Sequence, residues 1–233
     1  MERKAHWDGV YTSRQPTEVS WYQAEPTRSL ELLRGAGAGP DTAVSDIGGG
    51  DSTFVDAVLA AHLGRVTVLD ISGAALARAR ARLGARAHEV VWLEADVTRV
   101  ELKAQAFDVW HDRAVFHFLT RAEDRARCAA AAAAALRPGG VVLISTFALD
   151  GPTRCSGLEV ARYGPAELAR ECGTGFALER SFADVHRTPG GTEQRFTVAV
   201  LRRVPSPLLS HAPLRSRRGS RRDGRLPRLS ASR

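Results

Sequence analysis

The stretch Ala43-Val44-Ser45-Asp46-Ile47-Gly48-Gly49-Gly50-Asp51-Ser52-Thr53 decides the fold class of this chain. A short strand, a glycine turn and the start of a helix follow one another within it. Glycines let the backbone pass close to a ligand, and the free amides of the first helical turn attract negative charge. The stretch therefore predicts a strand–turn–helix unit with a ligand site at the turn.

The rest of the chain repeats this alternation, which is typical of a parallel sheet wrapped by helices. We predict strands at 43–47, 66–71, 89–94, 106–111 and 140–147, and helices at 27–35, 52–63, 73–84, 121–136 and 165–172. Two late strands, 176–185 and 193–202, flank a Pro189-Gly190-Gly191 turn that predicts a hairpin, so at least one of them is antiparallel. We expect an N-terminal flank or lid over 1–42, one domain over 43–203 and a disordered Arg-rich tail over 204–233.

The net charge of the chain lies in its tail. The formal charge is +7, and residues 204–233 carry eight arginines and one acid, so the charges of the remaining residues cancel. The richness of this tail in Arg, Ser and Pro predicts disorder. Such a tail can bind phosphates in a salt-dependent way, but the neutral body offers no second basic patch. Nucleic-acid binding through the tail therefore ranks last among the functions considered.

Composition and cysteine usage indicate where the protein works. The three cysteines show neither metal-ligand nor disulfide spacing, which favours a reducing compartment and no bound metal. The longest apolar run, 129–136, is too short to span a bilayer, and the N-terminus lacks the apolar region of a secretory signal. We therefore expect a cytoplasmic protein with no membrane partner.

The glycine turn alone does not identify the ligand, because dinucleotide-binding enzymes use a similar turn. Their spacing requires a third glycine at position 53, where this chain has Thr53. A Tyr-x-x-x-Lys pair is also absent, and the chain has only two lysines. These observations disfavour a nicotinamide-dependent dehydrogenase.

Two acids at predicted strand ends extend the site. Asp70 ends the second strand, where an acid can accept hydrogen bonds from both ribose hydroxyls. Asp96 ends the third, where it can accept an adenine amino group while Val97 packs on the ring. Together with the strand 106–112 and the Leu136-Arg137-Pro138-Gly139-Gly140 turn, this order and spacing resemble the class I S-adenosylmethionine-dependent methyltransferases over residues 43–147.

The resemblance implies a fold, a cofactor and a set of site residues. The implied fold is an α/β, Rossmann-like, doubly wound sheet of seven strands with its last strand antiparallel. The implied cofactor is S-adenosyl-L-methionine, with S-adenosyl-L-homocysteine as the product. By position, Asp46, Gly48 and Gly50 would line its methionine part, Asp70 would bind its ribose, Asp96 and Val97 would hold its adenine, and His111 would neighbour the sulfonium. Ile71 belongs to the same cofactor-binding set.

Catalytic candidates follow the fourth strand. The Asn/Asp-Pro-Pro-Tyr of amino-group methylation and the Pro-Cys of cytosine carbon methylation are absent; His111-Asp112-Arg113-Ala114 stands there instead. Neutral histidine can remove a proton near pH 7, which makes His111 and His117 candidate bases, with Asp112 beside them. The competing interpretations are a structural role for His117 and an Asp112–Arg113 ion pair.

The acceptor is not identified by the sequence. Candidate acceptor-binding residues are Trp21, Tyr22, Arg113, Cys155 and Tyr163. The N-terminal segment with Trp7-Asp8 and Trp21-Tyr22 is similar to the opening of thiol and chalcogen methyltransferases and of some protein-lysine methyltransferases, where it folds over the cofactor. The leading hypothesis is methyl transfer to a small molecule by in-line displacement, and the alternative is a protein-lysine acceptor. An RNA-binding protein or an RNA methyltransferase that uses the basic tail ranks last.

Overall fold

The computed structural model describes residues 3–204, whose centre is a seven-stranded sheet with the order β3-β2-β1-β4-β5-β9-β8. Its strands are β1 (Ala43–Ile47), β2 (Arg65–Asp70), β3 (Val91–Glu94), β4 (Phe107–Arg113), β5 (Leu136–Phe147), β8 (Phe176–Arg187) and β9 (Glu193–Arg203). Strands β1 to β5 pair in parallel, whereas β9 is antiparallel to both β5 and β8. This topology confirms the predicted doubly wound sheet with an antiparallel last strand.

Six helices accompany the sheet within the described residues. They are α1 (Arg3–Ser13), α2 (Thr27–Gly35), α3 (Phe54–Ala60), α4 (Gly73–Leu83), α5 (Ala122–Ala135) and α6 (Pro165–Glu171). A two-stranded hairpin, β6 (Arg154–Cys155) with β7 (Leu158–Glu159), follows β5. None of the helices described over residues 3–204 is long and apolar enough to cross a bilayer.

Buried side chains cover both faces of the sheet, because successive residues of a strand point to opposite faces. On β4, Val109 joins the cluster that contains Phe54 of α3, while Trp110 joins the cluster that contains Cys128 of α5 and Leu168 of α6. The two clusters form the helical layers on either side. This arrangement leaves the carboxyl ends of the parallel strands free to build a site.

The predicted elements are all present, with shifted bounds. Helix α3 is shorter than predicted because His62 has a positive φ of 52°, which ends the helical path before Leu63. Strand β5 begins at Leu136 rather than at position 140, since Leu136 already pairs with Phe107 before the glycine turn. Helix α1 was not predicted separately from the N-terminal flank. Of the predicted tail, only Val204 lies within the described residues.

Candidate active site

The glycine turn after β1 is tightly enclosed. Gly48 has a φ of +59° and donates its N–H to the Leu69 carbonyl at 2.6 Å, and Gly50 has a φ of +52°. A Cβ on Gly48 would lie 2.2 Å from a methyl group of Val115, and one on Gly50 would lie 2.6 Å from the Tyr11 hydroxyl. Both positions therefore need glycine for their conformation and for the close approach of neighbouring side chains.

Two arginines of α4 hold this turn in place. Arg82 donates to the carbonyls of Asp51 at 2.5 Å and Ser52 at 2.6 Å. Arg78 pairs with the carboxylate of Asp51 at 3.4 Å and donates to the Tyr11 carbonyl at 2.6 Å. Helix α4 therefore contacts both the glycine turn and helix α1, and holds them together.

Asp70 ends β2 as a buried carboxyl beside the turn. Its Oδ1 accepts the Ser72 N–H at 2.8 Å, and its Oδ2 would lie 3.4 Å from a Cβ on Gly50. Burial raises the pKa of Asp70 to about 7, because desolvation outweighs its hydrogen bonds from backbone amides. Hydrogen bonds donated by hydroxyl groups would stabilise the ionised form of this buried carboxyl.

Asp96 follows β3 and has one oxygen held by its own turn. Its Oδ1 accepts the N–H and the hydroxyl of Thr98, at 2.8 and 2.7 Å. Its Oδ2 faces Arg3 at 3.7 Å. The second oxygen is therefore the one that can accept a hydrogen bond from a ligand.

These groups line one cavity, called here the main cavity, with about 820 Å³ of empty space including the open solvent at its mouth. Eight of the predicted site residues meet in its wall: Gly48, Asp70, Ile71, Asp96, Val97, Trp21, Arg113 and Cys155. Cys155 reaches this wall from the small hairpin β6–β7. The structure therefore brings the predicted nucleoside-binding residues and three predicted acceptor-binding residues into one space.

Aromatic rings cover the main cavity. The rings of Trp7 and Phe118 lie 5.0 Å apart, Trp7 and Trp21 5.9 Å, and Tyr11 and Trp21 6.2 Å, with edge-to-face geometry in each pair. All four side chains line the cavity. A sulfonium cation is well accommodated by such faces.

Helix α1 carries Trp7 and Tyr11, two of these rings, and is held against the sheet by polar contacts. The Ser72 hydroxyl donates to Asp8 at 2.7 Å, and Lys4 pairs with Glu94 at 2.9 Å. Arg3, Trp7 and Tyr11 had not been named as site residues. The spacing of Trp7 and Tyr11, four residues apart and so on one helical face, was the available signal.

His111 lies in a buried network rather than beside the main cavity. Its Nδ1 is 2.8 Å from Asp46 Oδ1 and its Nε2 is 2.9 Å from the Ser29 hydroxyl, while its ring stacks on Phe54 with centroids 4.0 Å apart. Both ring nitrogens are thus engaged within the protein. Asp46 Oδ2 is buried and has no hydrogen-bond partner among residues 3–204.

A second cavity, called here the adjoining cavity, also borders the turn and has about 560 Å³ of empty space including open solvent. Its wall includes Asp46, His111, Gly49 and the predicted acceptor-binding residue Tyr22. The residues that line both cavities are Tyr11, Trp21, Ile47, Gly48 and Arg113. The two cavities therefore meet at the glycine turn and at Arg113.

Three further predicted residues lie in the interior and line neither cavity. Asp112 points to the opposite face of β4 from His111; its Oδ1 accepts the N–H groups of Val115 and Phe116, and burial raises its pKa to about 7. The competing interpretation, an ion pair of Asp112 with Arg113, is wrong: among residues 3–204 Asp112 accepts only these backbone N–H groups, and adjacent strand residues point to opposite faces. Tyr163 packs against Phe116 with centroids 5.8 Å apart.

His117 is the third interior residue. It is fully buried against Phe147 and Phe118, and its Nδ1 accepts the Phe147 N–H at 3.3 Å. Burial lowers its pKa to about 3, so the ring is neutral. The geometry matches the structural interpretation of His117 and gives no support for a catalytic role.

No curated protein matches the chain. A family model described as a methyltransferase domain matches residues 45–142, which run from β1 into β5 and contain the turn, Asp70 and Asp96. This match covers most of the residues that line the main cavity, but not Trp7, Tyr11, Trp21 or Cys155.

Several solved structures share the fold. A protein of echinomycin biosynthesis, described by the conversion of a disulfide bond into a thioacetal group, is 23% identical with a TM-score of 0.68, over 86% of this chain and 93% of its own. The Burkholderia thailandensis 1,6-didemethyltoxoflavin-N1-methyltransferase is 22% identical with a TM-score of 0.61, over 86% and 84%. The [4+2]-cyclase SpnF is 13% identical with a TM-score of 0.63, over 86% and 92%. At these identities the likeness concerns the fold, and the cyclase shows that this fold serves more than one reaction.

Proposed function

Because the chain belongs to the class I S-adenosylmethionine-dependent methyltransferases, we propose that it transfers the cofactor's methyl group to a small-molecule acceptor bound in the main cavity beside Cys155. The observation that carries this proposal is that the aromatic rings of Trp7, Trp21 and Phe118 contact one another and line the main cavity together with Cys155. A small acceptor can bind in a cavity with such a wall.

The residues present suit the cofactor. A glycine turn without room for side chains allows close backbone approach, and the buried Asp46 Oδ2, which lacks a partner among residues 3–204, requires a donor such as an ammonium group. In this proposal Asp70 binds the ribose hydroxyls, with Ile71 packing beside it. Asp96 Oδ2, which faces Arg3 at 3.7 Å, accepts the adenine amino group, and Val97 packs on the ring.

The bound cofactor supplies a methyl group on a positively charged sulfur. The sulfur is the leaving group of the in-line displacement. The protein contributes mainly position, since such a displacement depends on the alignment of nucleophile, methyl carbon and leaving sulfur. The aromatic faces around the cavity stabilise positive charge and exclude water. His111 acts through Asp46, whose carboxylate it orients from the layer of α2 and α3.

General base catalysis has little support from the cavity wall. Burial raises the pKa values of the Tyr11 hydroxyl and the Cys155 thiol, so both stay protonated near neutral pH. The remaining acids of the wall, Asp70 and Asp96, are assigned to the cofactor in this proposal. We therefore propose an acceptor whose nucleophilic atom needs no proton removed by the protein, such as a neutral amine or a thiolate.

The small-molecule character of the acceptor draws on the fold relatives as well. The Burkholderia thailandensis relative is named for methylation of 1,6-didemethyltoxoflavin and was solved with that compound and S-adenosylhomocysteine bound. That likeness supports the class of acceptor rather than its identity. No feature of the described residues specifically favours a protein-lysine acceptor.

The test is a screen of acceptors with S-adenosylmethionine, read out by release of S-adenosylhomocysteine. The panel contains thiols, selenite-derived species, amines, carboxylic acids and lysine-containing proteins. We expect turnover with a member of the small-molecule set, loss of turnover in Asp70→Ala, and retained turnover in the matched control Asp150→Ala, whose carboxylate is 63% exposed. Turnover confined to the protein substrates would contradict the proposal.

A further inference from the structure

Arg113 brings a positive charge to the end of the main cavity that Cys155 lines, called here the acceptor end. It is the last residue of β4, and its guanidinium carbon lies 5.4 Å from the centroid of the Phe196 ring. Phe196 and Cys155 belong to one buried cluster, against which Trp21 packs. Arg113, Trp21 and Cys155 all line the main cavity. The guanidinium therefore borders the space in which the acceptor is proposed to bind.

The charge of Arg113 is not paired with an acid within residues 3–204. The acid whose charge reaches it, Asp184, forms an ion pair with Arg28 at 3.2 Å. Burial lowers the pKa of Arg113 to about 10, so the guanidinium is still charged at neutral pH. Buried charges in folded proteins are normally paired, and a charge in a cavity wall that lacks an acid of its own therefore indicates a ligand of opposite charge.

The hydrogen bonds of Arg113 leave one edge of its guanidinium open. Nη1 donates to the Trp21 carbonyl at 3.1 Å, whereas Nε and Nη2 donate to no residue among 3–204. Nε and Nη2 form one edge of the planar group, and their parallel N–H bonds match the two oxygens of a carboxylate. The Trp21 carbonyl and the Phe196 ring hold the group from its other sides. The open edge is thus suited to a bidentate oxyanion.

We propose that this open edge of Arg113 binds a carboxylate of the acceptor, so that the substrates are small carboxylic acids that carry an amine or a thiol as the methylated group. The proposal rests on the proposed function, which places the acceptor beside Cys155. The rings of Trp21 and Phe118 contact the apolar part of such a molecule. A carboxylate also offsets the positive charge that Arg113 and the sulfonium of the bound cofactor together bring to this cavity.

Calorimetry of the complex with S-adenosylhomocysteine tests this proposal before the acceptor is identified. The probes are benzoate, naphthoate and hexanoate, each compared with its amide, which has a similar shape and no charge. We expect at least one carboxylate to bind roughly 10- to 100-fold more tightly than its amide, as for charge-assisted hydrogen bonds. In Arg113→Met this preference should fall to within about twofold. Arg113→Lys keeps the charge but not the two parallel donors, so its preference should be intermediate.

The controls separate a loss of the carboxylate contact from damage to the protein. Arg195→Met, at an arginine of β9 with 64% side-chain exposure, should keep the wild-type preference. Arg113→Met should bind S-adenosylhomocysteine within about twofold of the wild type, because the proposal places Arg113 at the acceptor. If Arg113→Met does not fold, the preference measured in Arg113→Lys decides in its place.

Three results overturn the proposal. They are a wild type that binds no carboxylate more tightly than its amide, a preference that survives unchanged in the Arg113 variants, and a folded Arg113→Met that has lost its affinity for S-adenosylhomocysteine. The last result would place the guanidinium at the cofactor. Failure of the wild type to bind S-adenosylhomocysteine overturns the proposed function instead.

Discussion

Binding of the cofactor should depend on pH through Asp70. In the free protein, burial raises the pKa of this carboxyl to about 7, and its side chain sits in the wall of the main cavity. Ribose hydroxyls that donate to it favour the ionised form, so binding lowers the pKa and releases a proton. The perturbation is therefore a change of pH across the interval from 6 to 8.

The magnitude follows from the fraction that is ionised. With a pKa of about 7, roughly a tenth of Asp70 is carboxylate at pH 6 and roughly nine tenths at pH 8. If the ligand binds the carboxylate form, the apparent affinity scales with that fraction, so it rises about tenfold between these pH values. Close to one proton is released per ligand at pH 6, and almost none at pH 8.

The assay is calorimetry of S-adenosylhomocysteine at pH 6, 7 and 8, in two buffers that differ in ionisation enthalpy so that released protons are counted. Asp70→Asn should give weak binding that does not change with pH. Asp112→Asn removes the other carboxyl with a pKa of about 7 but lines neither cavity, so it should keep the wild-type slope. A flat affinity in the wild type, or a slope that survives in Asp70→Asn, refutes the reasoning.

Further predictions concern stability and the limits of the site. Burial raises the pKa of Asp112 to about 7 in the folded protein, so ionising this carboxyl destabilises the fold increasingly as pH rises from about 4 to about 7. Asp112→Asn removes this cost. Its free energy of unfolding in urea, relative to the wild type, should therefore increase by roughly 2–3 kcal/mol between pH 5 and pH 8. Gly48→Ala should abolish S-adenosylhomocysteine binding and lower the free energy of unfolding by more than Gly191→Ala, where a Cβ meets nothing within 4 Å; equal losses would contradict the close approach at the turn. His117→Phe should retain methyl transfer within a few-fold, measured as product release, because its ring is neutral and lines neither cavity. Truncation after Val204 should leave cofactor binding and transfer unchanged by the same assays, and a loss would assign the tail a role.

The positions of Asp70 and Asp96 could be predicted because both residues occupy fixed places in a parallel sheet. They lie at or just beyond the ends of adjacent strands, and such ends meet at one edge beside the glycine turn. Local sequence was therefore enough to place the two side chains in one cavity wall. The match of residues 45–142 to the methyltransferase domain covers the same stretch.

The rest of the site depends on side-chain direction and on contacts between residues that are far apart in the sequence. Residues 111 and 112 point to opposite faces of β4, which places His111 against Phe54 and Asp112 on the side of α5; strand alternation could have shown this. Helix α1 could not be derived in the same way. It is held by partners far along the chain, Ser72 and Glu94, which no local pattern reveals.

The central claim is that this chain moves a methyl group to a small acceptor. The most direct measurement is mass spectrometry of acceptors incubated with the protein and a cofactor whose methyl group carries deuterium. The account predicts a labelled small molecule formed in equal amount to S-adenosylhomocysteine, and no label with Asp70→Ala. Tight cofactor binding with no label on any small acceptor, or label on protein lysine alone, would contradict it.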